Sequence, residues 1–301
     1  MQDVALGVKI FKRSNQLRGL LQSIKSTEIE KVYIADDGDI TEDKESIYQD
    51  NYQFDLTVID LNYDAGLGYG RSEIFKKLDE EYLLIVDTDH RIPENISVLY
   101  NQLIERPDMG GISGLLLEDG SMTAVCHDLY ENGKILIRDT RDEKVVEEAH
   151  GYPLVEYDFL PNITMFRREC LEDYCWDPEY VIGKEHIDFY IGHMKQTDWN
   201  FGVNPNVLFD HYPDSGDEEY KMNRGNVKKL DRSKEYFLRK WGYKNIFLGQ
   251  TRWRNPSNTD PHDRIKREIL KKSFTKLPPS VQNPILDIRD RMRIKKGKGP
   301  I

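Results

Sequence analysis

The sequence predicts an α/β fold in which a mostly parallel, mixed sheet is covered by helices on both faces and followed by a helical C-terminal extension. Three observations carry this expectation. Strand-like and helix-like patterns alternate through residues 1–105, the rhythm of a parallel sheet between two helical layers. The run Tyr82-Leu83-Leu84-Ile85-Val86 is apolar at every position, as a strand buried on both faces requires, and stops abruptly at Asp87-Thr88-Asp89-His90. Beyond residue 216 the chain turns strongly polar, which suits helices rather than more sheet.

Val4-Ala5-Leu6-Gly7-Val8-Lys9-Ile10 reads as the first strand, and Leu17, Leu20, Leu21 and Ile24 then form a helical stripe with Arg18, Gln22 and Lys25 outside it. Val32-Tyr33-Ile34-Ala35 and Leu56-Thr57-Val58-Ile59 supply the second and third strands, and Tyr82 to Val86 the fourth. Helices fall between them near 42–51 and 71–80. After Pro93 a helix over 94–105 leads to Met109-Gly110-Gly111-Ile112-Ser113-Gly114-Leu115, and shorter, turn-separated strands continue to residue 167. Further helices are expected over 184–195, 227–240 and 262–275.

With 301 residues and 38% hydrophobic content the chain can bury a sizeable core. Its net charge of −10 argues against a nucleic-acid partner. That charge is uneven: residues 262–301 carry 12 Lys and Arg against 4 Asp and Glu, so an acidic body bears a basic tail of +8. A helix over 281–294 would show Val281, Ile285, Ile288 and Met292 on one side with Arg289 and Arg293 around them, a pattern suited to peripheral contact with an anionic membrane. Cys126, Cys170 and Cys175 are odd in number and lack metal or redox spacing, so reduced thiols are expected. No secretory leader or apolar run of the ~20 residues that span a bilayer is seen, so a cytoplasmic protein, at most peripheral on the cytoplasmic face of a membrane, is expected.

The chemistry-bearing residues cluster where parallel strands end, which is where open α/β sheets bind ligands. Asp87 and Asp89 are two residues apart and, on an extended segment, would face one pocket and hold a hard divalent cation on oxygen. Asp36-Asp37-Gly38-Asp39 ends the second strand and offers acceptors for a base N–H or a ribose hydroxyl. Gly66-Leu67-Gly68-Tyr69-Gly70-Arg71 opens a helix, where backbone N–H groups and Arg71 would meet an anion. In Gly183-Lys184-Glu185-His186-Ile187-Asp188-Phe189 a helical reading buries Ile187, Tyr190, Ile191 and Met194 and turns Glu185 and Asp188 away from the core, where either could take a proton from an attacking hydroxyl. His211 follows the apolar run Val207-Leu208-Phe209 and offers an imidazole suited to manganese.

These elements, in this order, resemble the inverting family 2 glycosyltransferases of the GT-A fold, and within them the β-1,4-N-acetylgalactosaminyltransferase-like branch. The resemblance rests on Lys9-Ile10-Phe11-Lys12-Arg13, Ile34-Ala35-Asp36-Asp37-Gly38, Gly70-Arg71-Ser72, Asp87-Thr88-Asp89, Glu185-His186-Ile187-Asp188-Phe189 and Asp210-His211, and covers residues 3–215. It implies a catalytic domain over 1–215, with a nucleotide-binding half at 1–105 and an acceptor half at 106–215, and a polar extension over 216–301. It further implies transfer of a hexosyl or N-acetylhexosaminyl group from a nucleotide sugar, a UDP-sugar first, to a hydroxyl of a glycan or lipid-linked acceptor, with Mn2+ or Mg2+ as cofactor.

By that resemblance Asp36 or Asp37 would contact the nucleoside, and Phe11, Arg13 and Arg71 would line the donor site. Asp87 and Asp89 would hold ribose and metal, His211 would be a further ligand, and Glu185 or Asp188 the base. Many relatives carry Glu-Asp where this chain has Glu185-His186. Two alternatives remain. A sugar nucleotidyltransferase would carry a glycine-rich loop after the first strand, where this chain reads Phe11-Lys12-Arg13-Ser14-Asn15. A catalytically silent glycan- or nucleotide-binding module would not need all of these carboxylates.

Overall fold

In the computed structural model, strand β1 (Val4–Ile10) sends Val4, Leu6, Val8 and Ile10 into one apolar layer and Ala5 into the opposite one, the period-2 division that a doubly covered strand imposes. The structure describes residues 3–139, 144–213 and 218–248, together with 277, 278, 280–282, 284, 285 and 288. Helix α1 (Ser14–Ser23) buries Leu17, Leu20 and Leu21 on the first layer. Strand β2 (Lys31–Asp36), helix α2 (Glu42–Tyr48), strand β3 (Asp55–Asp60), helix α3 (Leu67–Lys77) and strand β4 (Tyr82–Val86) complete the alternating half. Thr41 caps α2 through its hydroxyl, and Glu42, Asp43 and Glu45 follow in its first turn, where the helix dipole favours negative charge. That helix ends at Tyr48, short of the expected residue 51.

The second half starts with β5 (His90–Arg91), α4 (Ser97–Glu105), β6 (Met109–Glu118) and β7 (Ser121–Thr123). Strands β8 (Asp128–Asn132), β9 (Ile135–Asp139), β10 (Val146–Ala149), β11 (Tyr152–Glu156) and β12 (Ile163–Arg167) follow, then α5 (Arg168–Asp173), α6 (Glu185–Gln196) and β13 (Asn200–His211). Helices α7 (Glu218–Arg224) and α8 (Val227–Trp241) and strand β14 (Asn245–Leu248) close the described chain. The main sheet runs β10-β11-β13-β6-β12-β4-β1-β2-β3. Its β4-β1-β2-β3 edge is parallel, and β12 enters antiparallel to both β4 and β6, so the sheet is mixed as expected.

Strand β14 pairs in parallel with β9, and α8 lays Lys240 and Trp241 onto α6, so part of the expected extension belongs to the body it follows. Helix α6 is consequently buried nearly all round: Asp188 and Gly192 are covered along with Ile187, Tyr190 and Ile191, while Met194 is exposed. Val281, Ile285 and Ile288 are helical and exposed, whereas Met292, Arg289, Arg293, the helix expected over 262–275 and the closing lysines lie outside the described residues. No helix among the described residues is long and apolar enough to cross a membrane. None of the three cysteines forms a disulfide, and Cys126 and Cys170 are buried.

Candidate active site

A cavity of about 390 Å³, within the ~300–1,000 Å³ range of small-molecule sites, opens where β1 and β4 end. Phe11, Arg13 and Asp87 enter it from those strand ends, Glu185 and His186 from the start of α6, and Tyr220 from α7.

Asp87 follows the end of β4 and Thr88-Asp89 form a turn rather than an extended segment, and the two carboxylates take different partners. Asp87 accepts from Arg71 Nη2 (3.2 Å) on one oxygen and from Asn162 Nδ2 (3.1 Å) on the other. Asp89 Oδ2 accepts from Arg13 Nη2 (2.9 Å) and lies 3.5 Å from His211 Nε2. Arg13 makes this reach from a left-handed backbone (φ 82°), a conformation that costs an L residue about 1–2 kcal/mol. Its other anchors are the Tyr220 hydroxyl (3.2 Å) and the Pro213 carbonyl (3.4 Å).

Pairing of β5 with β13 sets His90 opposite His211, and ligand atoms of Asp89, His90 and His211 lie within 4.8 Å of one another. Asp87 stands outside this group, contrary to the expected Asp87, Asp89 and His211 set. His90 Nδ1 already accepts the Asp87 N–H (3.1 Å), so its lone pair is committed to holding the turn. Asp89 and His211 remain, an oxygen and an imidazole nitrogen that suit Mn2+ or a similar ion. Burial opposes the charge on Asp89, but His211, His90 and Arg13 outweigh it and hold the carboxyl far below its usual range. Burial likewise opposes charge on His211, yet Asp89 and Glu118 prevail and raise it.

The strand-two aspartates are placed differently from expectation. Asp36 is fully buried and accepts from Lys44 Nζ (2.7 Å), Tyr48 OH (2.6 Å) and Gly38 N (2.9 Å), so no oxygen faces the cavity. Asp37, equally buried, accepts from Gly66 N (2.8 Å) and pairs with Lys9 Nζ (2.5 Å), and it is Lys9 that reaches the cavity wall. The N–H groups that open the helix of the glycine-rich segment are engaged within the chain. Leu67 N and Gly68 N donate to the carbonyls of Val181 (2.9 Å) and Tyr180 (3.0 Å), and α3 begins at Leu67 rather than near 71. A Cβ on Gly68 would stand 2.1 Å from the Asp177 carbonyl oxygen, so the glycine permits this close approach of two backbones. Arg71 lies buried behind the cavity wall, bound to Asp87 and 3.9 Å from Glu185 Oε1.

Glu185 and Asp188 are also separated. Asp188 is fully buried and takes hydrogen bonds from Tyr174 OH, Tyr180 OH and Lys240 Nζ (each 2.9 Å) and from Trp241 Nε1 (2.7 Å). Glu185 lines the cavity, and its Oε2 has no hydrogen-bond partner. His186 donates through Nε2 to the Leu160 carbonyl (2.6 Å), which leaves Nδ1 an unpartnered acceptor, and burial pushes the ring down to about 3.

The sequence model of Glycosyl transferase family 2 matches residues 6–174, more than half of the chain. The chain belongs to glycosyl transferase family 2. No curated protein sequence matches this transferase significantly. Solved structures of similar fold include GalNAc-T7 with UDP, GalNAc and Mn2+, at 11% identity and a TM-score of 0.58, covering 79% of this chain and 48% of that one. S. aureus TarS gives 14% identity and 0.51, with 81% and 74% covered. The mannosyltransferase PcManGT from Pyrobaculum calidifontis, with GDP-Man and Mn2+, gives 13% and 0.50, with 79% and 64% covered. At these identities the likeness shows the fold, GT-A, and the transferase spans about half the length of the GalNAc-T7 chain.

Asn162, Glu118 and Tyr220 were not singled out by sequence reasoning about this transferase. None lies in a motif; each reaches the site through strand pairing or helix packing that spacing along the chain does not reveal.

Proposed function

We propose that this chain is a cation-dependent, inverting glycosyltransferase that moves a sugar from a UDP-sugar to an acceptor hydroxyl. One observation carries the reading. The cavity lined by His211, whose Nε2 lies 3.5 Å from Asp89 Oδ2, is also lined by residues with three buried acceptors that lack partners: Asn162 Oδ1, Glu185 Oε2 and His186 Nδ1. Each such acceptor costs about 1–3 kcal/mol when left unpaired, and the hydroxyls of a sugar would supply the missing donors.

Asp89 and His211 would hold the cation, which when bound offsets the charge of the departing nucleoside diphosphate. Arg13 adds a guanidinium beside that charge, and Asp87, oriented by Arg71 and Asn162, receives a ribose hydroxyl. Phe11 and Lys9 wall the nucleoside side, while Asp36 and Asp37 hold the strand ends that position them. Glu185 is the base: as the acceptor oxygen bonds to the anomeric carbon, Glu185 Oε2 takes its proton, and the nucleoside diphosphate leaves with the electron pair of the broken bond. Asp188 supports α6 and touches no substrate.

The Glu185-His186-Ile187-Asp188-Phe189 motif supports the β-1,4-N-acetylgalactosaminyltransferase-like branch, and with it an N-acetylhexosaminyl donor and a glycan or lipid-linked acceptor. Release of nucleoside diphosphate from a panel of nucleotide sugars, measured with Mn2+ and with chelator, tests the reading. A UDP-sugar turned over only with the ion is the expected result; turnover unaffected by chelator overturns it.

A further inference from the structure

We infer that Glu118 is a positioning residue that fixes the tautomer of His211 so that its Nε2 lone pair is presented to a divalent cation. The inference rests on the cation site proposed above and concerns a residue outside it. Glu118 is the last residue of β6, and the β6–β7 hairpin turns on Asp119 and Gly120, both at positive φ (50° and 72°), as a two-residue hairpin turn requires. Beside it β13 runs parallel to β6, with Asp210 opposite Leu117, which brings His211 next to Glu118. Glu118 Oε2 lies 3.0 Å from His211 Nδ1.

An ionised carboxylate only accepts, so Nδ1 must carry the hydrogen of that bond. In the neutral ring Nε2 is then the lone pair, and it lies 3.5 Å from Asp89 Oδ2, another acceptor. Two acceptors at that separation repel unless a proton or a cation joins them. His90 does not substitute, because its own lone pair holds the Asp87 N–H. A carboxylate behind a ligating imidazole orients the ring and raises its basicity, and removing such a partner typically weakens metal affinity by about 10–100-fold.

The experiment titrates the full chain with Mn2+, alone and with uridine diphosphate, following free Mn2+ by electron paramagnetic resonance. Glu118→Ala should bind Mn2+ about 10–100-fold more weakly than wild type with an unchanged melting temperature. Glu118→Gln, whose carbonyl can still accept from Nδ1–H, should lose less. Glu118→Ala added to His211→Ala should lose nothing further. Histidine 15N shifts of the metal-free chain, at a pH where His211 is neutral, should report the Nδ1–H tautomer in wild type and a mixture in Glu118→Ala. Wild-type affinity in Glu118→Ala, or an equal loss with and without His211, overturns the inference alone. Failure of the wild type to bind Mn2+ under either condition overturns the cation-dependent reading itself.

Discussion

Glu185 and Asp188 sit three residues apart on α6 in opposite electrostatic situations. Asp188 has four donors around it and no contact with solvent, whereas Glu185 lines the cavity and keeps one buried oxygen without a hydrogen-bond partner. Removing the charge at each should therefore have different consequences. Glu185→Gln should lower kcat by about 10²–10⁴-fold, the usual worth of a general base, with nucleotide affinity and melting temperature near wild type. Asp188→Asn should instead remove one of the two carboxylates that pair with half-buried Lys240, Asp177 remaining, and cost about 3–5 kcal/mol at most, read as a lower unfolding midpoint, with kcat per folded molecule retained. A large kcat loss in folded Asp188→Asn would reverse the assignment. Both carboxylates were visible in the sequence, but which one is sealed was not: that is decided by Lys240 and Trp241, which lie far along the chain. The same holds for Asp36, whose partners Lys44 and Tyr48 only become neighbours once α2 folds back over the strand end.

At the scale of elements, the start of α3 and the 177–183 loop act as one unit. Carbonyls from the loop occupy the first N–H groups of the helix, and Gly66 and Gly68 let the two backbones touch. The loop ends in Gly183 and Lys184, both left-handed, and delivers Glu185 to the cavity. Gly68→Ala should push this loop away, costing about 1–3 kcal/mol of stability and lowering kcat more than it weakens nucleotide binding. Wild-type unfolding and turnover in that variant would contradict the account. The strand-and-helix rhythm of the first half was legible because each strand carries its burial pattern locally. The outer face of α6 was not, because an amphipathic reading assigns one buried face, and α8 and the aromatic rings beneath it cover a second.

For the whole molecule, burial makes the fold sensitive to acid. His193, fully buried beside Cys170 and Thr197, is pushed down to about 4 by desolvation, against an ordinary value of 6.5. Below pH 6.5 the unfolded chain takes up a proton that the folded one refuses, so this stability is present above 6.5 and is lost as pH falls toward 4. At pH 5 the loss is about 2 kcal/mol. The difference in urea unfolding free energy between wild type and His193→Asn should therefore shrink by roughly that amount from pH 7 to pH 5. A constant difference would show that the ring is not held neutral.

The mixed sheet, the strand-end cavity and the family were all legible in the order of motifs from Phe11 to His211. What was not legible was how tightly the strand-end carboxylates are already engaged, with Asp87 turned to Arg71 and Asp89 to Arg13. The central claim is that Asp89 and His211 hold a cation on which glycosyl transfer depends. Its most direct test is the rate of nucleoside diphosphate release from the preferred nucleotide sugar, with saturating Mn2+, by wild type and by Asp89→Asn. The cation contributes several kcal/mol to the transition state, and each 1.36 kcal/mol is tenfold, so the variant should be slower by about 10²-fold or more at an unchanged melting temperature. A folded Asp89→Asn chain that turns over at the wild-type rate would contradict the account.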